Sequence, residues 1–277
     1  MAAELKPPDL KSTDLKTTDL KSKDLKPKDR RVLYLYGVTQ AQPSKTLRHV
    51  GVDLQSPVES VECEGVVCWI SRVSALDFEK NLAANMENLD WLAETSVAHQ
   101  RVISAISRLT EILPTRFGTV FRSEPSLCKH IAKRARGLKQ DFGRVKGADE
   151  WGIKVFTIQP TPIPMPAARS GKDYLKAKAA LLPRRKPKSL QREDLIAFEQ
   201  ELADVATETA PAGNVSRGQR GLSFQTSLLV KRTKRKKLES ILEKFAREWT
   251  RERRIECTGP WPPYSFVSRP DDKVRSR

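Results

Sequence analysis

The side chains able to do chemistry in this sequence are few and dispersed. There are three histidines, His49, His99 and His130, and four cysteines, Cys63, Cys68, Cys128 and Cys257. Cys128 and His130 stand two apart, and Cys63 and Cys68 five apart, so zinc ligation is the chemistry to weigh first. On one strand an odd separation sends Cys63 and Cys68 to opposite faces. The cysteines therefore read as buried small hydrophobes. A disulfide framework is not expected, because a chain without an apolar signal segment reads as a protein of a reducing compartment. No metal and no cofactor is expected.

Nucleophilic and phosphate chemistry find no footing either. The chain has no GxSxG, HExxH, Walker or GxGxxG string. Gly218-Gln219-Arg220-Gly221 is too short to cradle a phosphate and reads as a loop. Most carboxylates sit at helical spacing from Lys or Arg. No catalytic residue is assigned, and an enzyme is not expected.

Charge is the stronger signal. The net charge is +17. Residues 32–158 hold 16 Lys and Arg against 14 Asp and Glu, whereas 159–250 hold 19 against 10. The excess gathers in Arg184-Arg185-Lys186-Pro187-Lys188 and in Lys231, Arg232, Lys234, Arg235, Lys236 and Lys237. Such runs are solvated loops and helix starts, or they meet phosphate or an acidic protein face. An RNA- or DNA-binding module is the alternative function, but Arg116-Phe117-Gly118-Thr119-Val120-Phe121-Arg122 lacks the second aromatic and the glycine of an RNA-recognition strand.

Residues 5–29 repeat LKPPD, LKSTD, LKTTD, LKSKD, LKPKD. Leucines five apart advance about 500° on a helix and form no stripe, so residues 1–31 are expected to be a disordered arm. Strands are expected at 32–38, 65–71, 117–121, 151–158, 222–230 and 253–258. Helices are expected at 74–85, 88–113, 123–140, 170–182, 192–209 and 234–250, with prolines 160–166 in a loop. The fold class is then α+β, with two domains, 32–149 and 150–267, and a tail at 268–277. Each domain is a small, mostly antiparallel sheet with helices on one face, the second ferredoxin-like. No apolar run is long enough to span a membrane.

Four strings, in this order and spacing, resemble the gas vesicle accessory proteins of the GvpL/GvpF family. They are Tyr34-Leu35-Tyr36-Gly37-Val38, Leu113-Pro114-Thr115-Arg116-Phe117-Gly118-Thr119-Val120-Phe121, Glu150-Trp151-Gly152-Ile153-Lys154-Val155-Phe156, and Thr258-Gly259-Pro260-Trp261-Pro262-Pro263-Tyr264-Ser265-Phe266-Val267. The second and fourth are the specific ones, and the resemblance spans residues 32–267. It implies a cytoplasmic, non-enzymatic protein needed for gas vesicle formation. The implied partners are the small hydrophobic shell protein and other accessory proteins, with neither membrane nor nucleic acid among them. The LKxxD arm, loop 159–167 and basic stretch 183–192 fall outside the family pattern.

Two readings of the motifs follow. Pro260, Pro262 and Pro263 stiffen the last ribbon, so that Trp261, Tyr264 and Phe266 latch the two domains together; a pre-ordered binding ridge is the alternative. Arg116, beside Phe117, is expected to pair with a carboxylate such as Glu150 and lock the domains, or else to face a partner. Tyr34, Tyr36, Gly37, Gly118, Thr119, Phe121, Trp151, Gly152 and Gly259 complete the set of structural or interface residues.

Overall fold

The computed structural model describes residues 30–43, 47–158, 192–211, 219–250 and 252–268. The LKxxD repeats, the proline loop 160–166, the helix expected at 170–182, the cluster 184–188, Gly218 and the tail from 269 lie outside the described residues.

The first sheet is built on β1 (Arg31–Thr39), with β2 (Glu59–Cys63), β3 (Val66–Ser74), β4 (Ile112–Pro114) and β5 (Val120–Phe121). The order is β2-β3-β1-β4, with β5 also on β1, and every pairing is antiparallel. A π-turn (Leu76–Lys80), α1 (Leu82–Glu87) and α2 (Leu89–Ser107) follow β3, and α3 (Glu124–Val145) follows β5. The Asn88 side chain accepts the Asp90 and Trp91 N–H groups and starts α2. Ser123 and Ser126 form a capping box with Pro125 in the first turn of α3.

β1 is apolar at nearly every position because it is buried on both faces. Val32, Tyr34 and Tyr36 join Val102, Ile103 and Ile106 of α2 in one core. Leu33, Leu35 and Val38 join Leu127, Ile131 and Leu138 of α3 in another. The register shift between Leu35 and Gly37 turns Val38 to the side of Leu35. One covered face was expected for this sheet; helices cover both.

The second sheet holds β6 (Ala148–Thr157), β7 (Glu208–Ala210), β8 (Leu222–Lys231) and β9 (Arg253–Trp261), with α4 (Arg192–Val205) and α5 (Arg235–Glu248). Its order, β7-β8-β6-β9, is fully antiparallel. Two helical connections, after β6 and after β8, make this the split β-α-β arrangement of a ferredoxin-like fold. Trp151, Ile153 and Val155 of β6 pack with Leu228 and Val230 of β8 under Phe198, Leu202, Leu238, Phe245 and Trp249.

Some boundaries moved for physical reasons. Leu113 fits the helical stripe of α2, but residues 112–114 pair with β1 instead, so the helix ends at Ser107. Residues 117–119 turn rather than extend, which leaves β5 two residues long. Ser74 closes β3 and only touches the Asp77 N–H at 3.4 Å. β2 and β7 carry too little apolar alternation to be read as strands.

The cysteine expectation also needs correction. Cys63 of β2 and Cys128 of α3 form a disulfide, with Cα atoms 5.0 Å apart across a separation of 65 residues. That spacing is normal for a bridge, and only the fold brings it about. Cys128 is thereby unavailable to act with His130 as a metal ligand. Cys68 is buried as expected, but Cys257 is exposed.

Candidate partner-binding clefts beside the C-terminal ribbon

β9 carries the chain past Thr258 as far as Trp261, which pairs with Glu150 of β6. The Gly259–Pro260 bond is cis. Gly259 has φ +132°, and a Cβ there would lie 2.8 Å from the Glu150 carbonyl, so a glycine is needed at this crossing. Pro262 and Pro263 are buried, and Tyr264–Phe266 form a 3-10 turn.

From Tyr264 to Ser268 the chain is tied to three elements. Tyr264 donates its hydroxyl to Gln100 of α2 at 2.9 Å. Glu150 accepts the Ser265 N–H at 2.8 Å and its hydroxyl at 2.6 Å. Phe266, 2% exposed, enters the core between α3 and the first sheet, with Val267 beside it. Asp141 of α3, 1% exposed, accepts the Ser268 N–H at 2.9 Å and its hydroxyl at 2.7 Å. Arg144 neutralises Asp141 at 2.6 Å and also donates to the Phe266 carbonyl. Arg134 donates to the Ser268 carbonyl at 2.5 Å. A buried carboxylate with this many donors is held in a fixed place. The ribbon thus bridges α2, α3 and β6.

The Leu113–Phe121 string wraps the other side of the ribbon. Leu113 and Pro114 pair with β1, and the Thr115 hydroxyl donates to the Leu35 carbonyl at 2.6 Å. Gly118 turns at φ +78°, which lets its N–H reach the Tyr34 hydroxyl at 3.1 Å. Thr119 donates its hydroxyl to the Arg116 carbonyl at 2.7 Å. Phe117 packs on the α2 side against Tyr34 and His99, and Phe121 on the α3 side against His130. Those two aromatics offer no common stacking surface. The Arg116 pairing is corrected as well: Glu150 is taken by Ser265, and Arg116 is exposed.

The two specific strings converge on one apolar cleft of about 200 Å³. It is lined by Leu113, Thr115, Arg116 and Thr119 from one string and by Tyr264 and Val267 from the other. His130, Ile131, Arg134 and Leu138 of α3 form its wall. Burial pushes the Arg134 guanidinium below its usual range, with Asp141 offsetting part of it. His130 is pushed down by burial and by the charges of Arg134 and Lys133. Arginine and histidine are thus the basic side chains lining the cleft, and no carboxylate lines it among the described residues.

A second, polar cleft of about 650 Å³ lies along the prolines. Pro260, Trp261, Pro262 and Pro263 face Arg108, Glu111, Asp149 and Arg232 across it. Trp261 is 42% exposed, so this ring belongs to the surface and not to the latch. The basic run divides here. Lys231 donates to the Lys146 carbonyl, Arg232 pairs with Asp149 at 3.1 Å, and Arg235 pairs with Glu239 at 2.8 Å and lies 5.5 Å from the Trp151 ring. Lys234, Lys236 and Lys237 are exposed and pair with no carboxylate among the described residues. Their charge at the start of α5 opposes the helix dipole, so they do nothing for the helix itself.

The remaining motif residues are structural. Tyr34 and Tyr36 are fully buried; the Tyr36 hydroxyl donates to Ser71 at 2.9 Å and accepts the Val52 N–H at 2.8 Å. Gly37 opposes Pro114, and Gly152 pairs with Thr258. Gln100, Arg134, Asp141 and Arg144 are not marked by the sequence, because each meets the ribbon across more than a hundred residues of chain, and His130 is marked there only as a metal-ligand candidate.

Comparison with known proteins gives one consistent result. The family model described as gas vesicle synthesis protein GvpL/GvpF matches residues 32–268. Gas vesicle protein L of a Streptomyces species is 29% identical, covering 88% of this chain and 96% of its own. Gas vesicle protein F1 of Halobacterium salinarum is 24% identical, over 85% of this chain and 92% of its own. Crystal structures of GvpF from Microcystis aeruginosa and Anabaena sp. PCC7120 superpose with TM-scores of 0.60 and 0.58 at 19% and 17% identity. Each covers 86% of this chain, and 99% and 97% of the respective solved chain. At that identity these two structures speak for the fold. Both match the mixed architecture of two antiparallel sheets with helices.

Proposed function

The chain belongs to the GvpL/GvpF family of gas vesicle synthesis proteins, and from that premise we propose that it is a non-enzymatic accessory protein of gas vesicle assembly. It binds the small hydrophobic shell protein and other accessory proteins, in the cytoplasm and at the forming vesicle. Its work is holding: an apolar face of the shell protein must be hidden from water until it assembles, and a cleft with charged edges covers such a face reversibly. The carrying observation is the apolar cleft on which the two specific strings converge. Lys234, Lys236 and Lys237 offer a separate surface to acidic accessory partners. Residues 32–149 and 150–267 act as two units fastened by the ribbon. Among the described residues no helix is long and apolar enough to cross a membrane.

The deciding experiment is co-purification with the shell protein at low and high salt after nuclease treatment. Retention of the shell protein under both conditions supports the holding role. Recovery of nucleic acid alone, lost at high salt, overturns it in favour of a basic nucleic-acid module.

A further inference from the structure

The cleft between the Leu113–Phe121 string, α3 and the ribbon is more specific than a greasy patch. Its volume of about 200 Å³ is below the roughly 300 Å³ at which small-molecule sites begin. It therefore suits one large side chain of a protein partner. Its floor is carbon, from Leu35, Val38, Leu113, Ile131, Leu138 and Val267. Its basic lining is Arg116, His130 and Arg134, and no carboxylate lines it among the described residues. Arg116 is exposed, with no ion pair among the described residues. Arg134 is half-buried and satisfied on the cleft side only by the Ser268 carbonyl. Burial is the first cause of the lowered proton affinities of both His130 and Arg134; the charges of Arg134 and Lys133 add to it at His130, and Asp141 offsets part of it at Arg134.

The geometry points to a docking site for an amphipathic segment of a partner protein, one that inserts a single large apolar side chain into the cleft and sets an Asp or Glu carboxylate against Arg116 and Arg134. This rests on the holding role proposed above and names the chemistry it reads. The guanidiniums gain the carboxylate partner they lack, and a bidentate pair fixes the orientation of the inserted segment. A segment with Lys at the same place meets a positive field and is rejected.

The test uses the full chain and a labelled helical peptide carrying Leu and Glu on one face, with a second peptide in which Lys replaces Glu. The wild type should bind the Leu/Glu peptide and not the Leu/Lys one. Arg116→Glu, at an exposed position that leaves the melting temperature unchanged, should weaken the Leu/Glu peptide by about tenfold or more and strengthen the Leu/Lys one. Arg101→Glu, exposed on α2 at the opposite face of the first sheet, should change neither. Equal binding of both peptides, or an Arg116→Glu protein that binds as the wild type does, overturns the assignment. So does about a tenfold gain in affinity on ending the chain at Ser268, since Asp271 and Asp272 of its own tail would then be the occupant. If Arg116→Glu leaves the peptides unaffected while the shell protein still co-purifies, the cleft assignment falls and the assembly role stands. If peptide binding needs Arg116 but no shell protein is retained, the reverse holds.

Discussion

Glu150 and Ser265, 115 residues apart, share two hydrogen bonds, from the serine N–H at 2.8 Å and from its hydroxyl at 2.6 Å. Glu150 is 8% exposed and lies near the start of β6, an inner strand of the second sheet. The pair is where the C-terminal ribbon is made fast to β6.

Breaking that pair should loosen the ribbon from one end. Hydrogen bonds to a charged group contribute about 1.5–3 kcal/mol, and Ser265→Ala takes the hydroxyl donor from the buried Glu150 while the backbone N–H stays. Glu150→Ala and Ser265→Ala should each lower stability in urea, and their losses should not add. An additive double-mutant cycle would show that the two residues do not act as one fastening.

Phe266 and Trp261 should separate the latch from the binding surface. Phe266 is 2% exposed inside the α3 core, so Phe266→Ala should cost about 3–5 kcal/mol of unfolding free energy. Trp261 is 42% exposed over the polar cleft. Trp261→Ala should leave the urea midpoint nearly unchanged and weaken association with a partner that uses this face. Equal destabilisation by both would mean that the whole ribbon is core.

Much of this division was legible in the sequence, and part of it was not. The β1 run from Val32 to Val38 announces a buried strand, and the alternation of strands with amphipathic helices in the second half announces a ferredoxin-like sheet even with β7 unread, because both follow from local periodicity. The prolines near the end announce a stiff ribbon, but not that Trp261 stays at the surface while Phe266 is buried. What stayed hidden depends on contacts over long separations. Asp141 looks like any acid on a charged helix until Ser268 arrives beside it. Arg116 and Glu150 are both present and complementary, but the sequence cannot say that Ser265 reaches the carboxylate first. Phe117 and Phe121 look like one strand face, yet a turn at Gly118 sends them to different cores.

His99 predicts how the protein responds to acid. It is buried among Tyr34, Tyr36 and Phe117, its Nδ1 lies 3.0 Å from the Tyr34 hydroxyl, and its Nε2 has no hydrogen-bond partner. Burial lowers its pKa from 6.5 to about 4, with the Thr115 backbone offsetting a small part. A depressed folded-state value means the stabilisation is present above 6.5 and is lost as pH falls towards 4. The full loss is about 3 kcal/mol, at 1.36 kcal/mol per pH unit. His99→Gln should remove this contribution, so the wild-type and variant stability curves should converge between those pH values. Parallel curves would show that His99 does not titrate in that window.

The exposed lysines of α5 should act on partners alone. Lys236→Glu with Lys237→Glu should leave the melting temperature unchanged or raise it slightly, since acids suit a helix start, and should weaken capture of acidic accessory partners. Arg232→Glu should instead destabilise, because it sets a carboxylate against Asp149 and Glu111. Unaltered partner capture by the lysine double variant would remove this surface from the assembly role.

The Cys63–Cys128 bridge joins the outer strand of the first sheet to the helix that walls the apolar cleft. Closing a separation of 65 residues removes unfolded-chain entropy worth about 4 kcal/mol. Reductant should therefore lower the urea midpoint of the wild type and leave that of a Cys63→Ser/Cys128→Ser variant where it was. Thiol titration of the unreduced, denatured wild type should count Cys68 and Cys257 alone. Because Cys128 lies on the same helix as Ile131 and Arg134, the reduced protein should also bind the Leu/Glu peptide more weakly if the bridge holds that helix in place. Unchanged affinity on reduction would mean that the ribbon, through Asp141, Arg144 and Ser268, is enough to position α3 without the bridge.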